Sequence, residues 1–135
     1  MPTTYSNNNE RIFDNTQVLT DDITLTPADS GKVFYLNAAA AGDVTLPAPH
    51  LGFNVKFIIG ATNPTTAWQI IGGTVAVIQG SVVVDGAAVP AVDEDQVNFV
   101  ASTAVKGDWV EIRSDGTNYY VSGVGEAAGS ITATT

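Results

Sequence analysis

The side chains with chemistry to offer are few and badly placed for sharing a reaction. The single histidine, His50, sits in Pro47-Ala48-Pro49-His50-Leu51-Gly52. An imidazole can act as a general base or a metal ligand, but each task needs partners at short range. With one histidine and no cysteine, the chain has neither a familiar zinc-ligand spacing nor a Cys–His pair. Asp93-Glu94-Asp95 could attract a hard cation such as calcium, yet the spaced ligands of a calcium loop are missing; Asp21-Asp22 is a weaker version of the same pattern. Two carboxylates can also divide the acid and base roles of sugar hydrolysis. With fourteen acidic residues, however, some close pair is expected without any such role. No serine stands in a Gly-x-Ser-x-Gly turn, and the glycines do not form a phosphate-binding loop. These patterns assign no catalytic residue, no metal site and no cofactor. Trp109, Tyr119 and Tyr120 remain as a candidate aromatic surface patch, able to stack on a sugar or anchor a subunit; Trp68 would join them in a carbohydrate platform. Packing inside the domain is the competing role for the same rings.

Composition narrows the frame that must hold these residues. The chain has 135 residues, room for one domain with a core. Charged residues make up only 14 % of it, against about 25 % in an average domain. Amphipathic helices need a charged outer face, so this balance favours strands. The five basic residues, Arg11, Lys32, Lys56, Lys106 and Arg113, are scattered through a chain of net charge −9. No basic stripe can form, which argues against nucleic acid and against anionic membranes as partners. The absence of cysteine suits assembly in a reducing cytosol. No signal-peptide pattern and no membrane-length apolar run is present, so a soluble protein made in the cytoplasm is expected.

The strongest local signal is Gly107 to Gly123. Trp109-Val110-Glu111-Ile112-Arg113 and Asn118-Tyr119-Tyr120-Val121-Ser122 flank Ser114-Asp115-Gly116-Thr117, a hairpin with Val110 and Ile112 on one face and Trp109, Glu111 and Arg113 on the other. Upstream, short apolar runs alternate with turn residues: 17–20, 23–26, 32–36, 44–46, 53–59, 68–71, 75–78, 82–84, 87–89 and 97–100. Gly72-Gly73 reads as the turn of a second hairpin and Asp85-Gly86 as that of a third, while 90–95 reads as an acidic loop. No repeat of fixed period is visible. The expected fold is all-β: a single-domain sandwich or barrel of short antiparallel strands over 18–123, with an extended N-terminal arm (1–17) and C-terminal tail (124–135). The arm is polar and aperiodic. Its Tyr5, Arg11, Ile12 and Phe13 are the candidate contacts to a neighbouring subunit or a larger surface.

Two stretches carry a resemblance. Thr26-Pro-Ala-Asp-Ser-Gly-Lys-Val-Phe-Tyr-Leu-Asn37, with Asp43-Val-Thr-Leu-Pro-Ala-Pro49 and Gly52-Phe-Asn-Val-Lys-Phe-Ile-Ile59, resembles the opening of an all-β module in small structural proteins of tailed bacteriophages. The hairpin 107–123 is similar to the one that closes it. The resemblance is greatest to capsid decoration (cement) proteins. It implies a non-enzymatic virion protein on the capsid exterior, bound to the major capsid protein at capsomer joints and self-associated, as a homotrimer ahead of a homodimer. The alternative it allows is a tail-fibre or appendage module binding carbohydrate or another virion protein.

Overall fold

Side chains that alternate between core and solvent define the strands. In Asn54–Ile59, Val55, Phe57 and Ile59 are buried while the residues between them are not; Tyr119–Gly125 alternates over seven residues. The computed structural model describes residues 15–38, 42–61, 65–73 and 77–135. In chain order the strands are β1 (Thr16–Leu19), β2 (Ile23–Thr24), β3 (Val33–Leu36), β4 (Asp43–Thr45), β5 (Asn54–Ile59), β6 (Trp68–Ile71), β7 (Ile78–Val84), β8 (Ala87–Glu94), β9 (Gln96–Phe99), β10 (Trp109–Ser114), β11 (Tyr119–Gly125) and β12 (Ile131–Thr134), with a 3₁₀ turn at Pro27–Asp29. They form a seven-stranded sheet, β1-β3-β5-β10-β11-β7-β8, and a five-stranded sheet, β12-β9-β6-β4-β2. The all-β sandwich is therefore as expected, and the sheets do not close into a barrel.

Strand direction differs from expectation. Through β6 the chain visits the two sheets alternately, and every neighbouring pair it forms there is parallel: β1 with β3, β3 with β5, β2 with β4, and β4 with β6. This half is a flattened coil of three turns. The turns differ in length: Val18 pairs with Tyr35, seventeen residues on, and Tyr35 with Ile58, twenty-three on. Unequal turns leave no sequence period, although the structure repeats. The second half adds the antiparallel hairpins β7–β8 and β10–β11, and places one strand in the other sheet after each. The last hairpin closes the larger sheet. β10 pairs antiparallel with β5, and β11 pairs parallel with β7.

Three local expectations change. Gly72-Gly73 does not turn a hairpin, because β6 and β7 lie in different sheets. The stretch 90–95 is not a loop. β8 runs through Pro90 to Glu94, and Asp95 alone separates it from β9. Proline is tolerated there because β8 is an edge strand, where a missing N–H need not break a ladder. Residues 124–135 are not a tail: β11 continues to Gly125, and β12 pairs with β9 through Ile131↔Phe99. Asp85-Gly86 does form the expected two-residue turn, with φ of 50° and 75°.

Between the sheets lies one core, in which Phe34 stacks on Phe57 with ring centres 5.4 Å apart and Trp68, Ile70, Phe99 and Ile131 enter from the smaller sheet. β11 meets the core with decreasing bulk, from Tyr119 and Val121 to Gly123 and Gly125. A side chain at Gly125 would strike Ser130 and Ile131, which seal that end. Gly80 marks a register shift between β7 and β8 at a φ of 118°, and a Cβ there would run into the Val121 carbonyl. Gly80→Ala should therefore lower stability by at least about 1–3 kcal/mol, read as a lower urea midpoint with an unchanged slope.

Candidate interaction face

Several acidic side chains, Asp22 of the candidate pairs among them, fasten the backbone. Asp22 Oδ1 accepts the Asp43 N–H at 2.7 Å, joining the start of β2 to β4. Asp29 accepts the Thr26 N–H at 2.9 Å and pairs with Lys32 Nζ at 2.8 Å. Burial alone would raise the Asp29 carboxyl; its bonds from Lys32 and Thr26 bring it below the ordinary value. Asp108, buried, accepts N–H groups from Val105 and Glu126, tying the loop before β10 to the end of β11. Asp115 accepts those of Asn118 and Thr117 and the Tyr120 hydroxyl, which together hold its carboxyl below the ordinary value. Asp93 is engaged by Gln79, and Glu94 accepts from the Thr135 hydroxyl. His50 is exposed, and its carbonyl accepts the Phe53 N–H. Among the described residues no three His, Asp or Glu side chains converge on a metal position, and no helix is long and apolar enough to cross a membrane. An open hollow of about 450 Å³ is lined by Leu46, Ala48, Pro49, Gly72, Val77 and Thr117 and brings no titratable group.

The aromatic patch separates. Tyr119 is fully buried, meets Phe53 edge-on with ring centres 6.1 Å apart, and donates its hydroxyl hydrogen bond to the Pro47 carbonyl. Trp68 is also fully buried. Of the four candidate rings, Trp109 and Tyr120 alone lie on the outer face of the larger sheet. They sit at opposite ends of the hairpin, Trp109 across from Val124 and Tyr120 across from Arg113. Four residues of strand, roughly 13 Å, separate those levels. A four-ring sugar platform is therefore not assembled. The candidate arm contacts Tyr5, Arg11, Ile12 and Phe13 lie outside the described residues.

Pairing register assembles a feature that sequence reading missed. Val18 lies beside Tyr35, Tyr35 beside Ile58, Ile58 beside Trp109, Trp109 beside Val124, and Val124 beside Val83. Ala88 on β8 extends the series. All are at outward positions, so one apolar row crosses all seven strands on the solvent side of the sheet. Neighbours on adjacent strands have Cβ atoms about 5 Å apart, close enough to touch. Trp109 is the central member, with Lys56 Nζ 4.4 Å from its ring centroid. That geometry is a cation–π contact. Beside the row, Glu111 and Arg113 form an ion pair. The opposite outer face, on the smaller sheet, is polar: Gln96 donates to Asn98, and Asn98 to Thr132 and Thr134.

Comparison with known proteins gives no match to a family model, to a curated protein or to a solved structure.

Burial pushes the Tyr119 hydroxyl up to about 12. The unfolded chain ionises a tyrosine near 10, so this group's contribution is complete below pH 10 and is lost as pH rises toward 12. Tyr119→Phe should cost about 0.5–1.5 kcal/mol at pH 7 through the lost hydrogen bond. It should also flatten the stability loss between pH 10 and 12, as measured by urea unfolding at both ends of that window.

Proposed function

We propose that the chain is a non-enzymatic structural protein of a bacteriophage virion, one that binds the outside of the capsid and stabilises the shell at capsomer joints. The observation that carries this reading is the use made of the polar residues. Asp22, Asp29, Asp108 and Asp115 are each committed to backbone N–H groups, within the segments that carry the resemblance or beside them. The same segments supply β3, β5, β10 and β11, the middle of the larger sheet. Chemistry-bearing side chains thus serve a rigid frame, which is the need of a protein that holds others in place. Its partners in this reading are the major capsid protein and further copies of itself. The N-terminal segment with Tyr5, Arg11, Ile12 and Phe13 makes the shell contact. A carbohydrate-binding appendage is the weaker reading, since two of the four rings it would use are in the core.

Separated heads and tails of the source particle, quantified by mass spectrometry, test the proposal. The expected result is hundreds of copies on heads in fixed ratio to the shell protein; a few copies travelling with tails would overturn it. Deleting residues 1–14, which precede β1, should leave the melting transition in place and abolish head binding. Unchanged binding by the truncated chain would sink the role given to that segment.

A further inference from the structure

Among the described residues no layer lies over the outer face of the seven-stranded sheet, although its apolar row is continuous. Val18, Tyr35, Val124 and Val83 are 55, 39, 45 and 45 % exposed. Single exposed valines are ordinary, but a row that spans a whole sheet marks an interaction surface. Six strand spacings of about 4.8 Å make the row roughly 29 Å long, and three outward levels along the strands give a footprint on the order of 600 Å². Each partner in a standard protein interface contributes about 800 Å², the same order. A tryptophan at the centre, with tyrosine and arginine around it, is the composition of interface hot spots.

Charge selects the occupant. The outward side chains of the seven strands include four charged groups, Lys56 and Arg113 against Glu111 and Asp93, the last held by Gln79, which sum to zero. The molecule as a whole carries −9. Two such molecules repel through most of their surfaces, and this neutral face, with its acidic groups matched by Lys56 and Arg113, is where they meet with the least repulsion. We propose that it is the contact between two copies of the chain, packed sheet against sheet about a two-fold axis with their apolar rows opposed and Trp109 at the centre. An isologous contact of this kind closes on itself, so it yields a dimer and not an open fibre. The pairing is independent of where in a particle the protein resides.

The test is the mass of the full chain in solution by sedimentation across a concentration series, for wild type and for the double variant Val83→Lys/Val124→Lys. Wild type should sediment at twice the 14.0 kDa of one chain. The double variant brings like charges together at the contact and should weaken pairing on the order of 100-fold or more, with circular dichroism and unfolding midpoint retained. Should the double variant not fold, Val18→Lys on the edge strand β1 supplies the same reading. Gln69→Lys, on the smaller sheet, should leave the dimer intact. A monomeric wild type, a trimer, a dimer that persists with lysine on the row, or one lost in Gln69→Lys would each overturn the proposal.

Discussion

A parallel strand pair cannot be joined by a tight turn; it needs a crossover of a dozen residues or more. In the first half of this chain the crossover is itself a strand of the opposite sheet, so each turn of the coil lays one strand in each layer. The two sheets are therefore linked by the covalent path as well as by the core. Core residues of the two layers, Phe34 and Phe57 on the larger sheet and Trp68 and Ile70 on the smaller, come from consecutive passes of the same coil. The polar fasteners follow from this plan. A chain that crosses between layers exposes backbone groups at each crossing, and aspartates at Asp22, Asp29 and Asp108 accept the N–H groups left there.

The strands themselves were legible wherever burial alternates. Val55, Phe57 and Ile59 announce β5, and Asp85-Gly86 announces its turn. Partner choice was not legible. Nothing local to Ile70-Ile71 says that its neighbours are β4 and β9, so Gly72-Gly73 read naturally as a hairpin turn. Pro90 and the acidic 93–95 resemble a loop because an edge strand carries the same residues that break strands elsewhere. The C-terminal residues are small and polar, yet Ile131 is fully buried, and a single anchor of that kind gives no periodic signal.

The candidate face illustrates the same limit. Its members are spread from Val18 to Val124, and each alone is an unremarkable outward residue of its strand. Only the register of the pairs brings them into line. Conversely, the aromatic cluster suggested by Trp109, Tyr119 and Tyr120 was a product of sequence proximity: Tyr119 and Tyr120 are adjacent, and adjacent strand residues face opposite ways.

The position of the last hairpin bears on how the protein comes to be made. β10 and β11 are inserted between β5 and β7, at the middle of the larger sheet, although they are nearly the last strands in the chain. A nascent chain that has emerged through β9 holds two half-sheets whose facing edges have no partner. Those edges stay open until residues 107–125 leave the ribosome, so the larger sheet cannot close before then. Long-range pairings such as Trp109 with Ile58 place the chain among slow, millisecond-to-second folders. Truncation near the C-terminus would accordingly yield an unfinished sheet with sticky edges rather than a smaller stable domain.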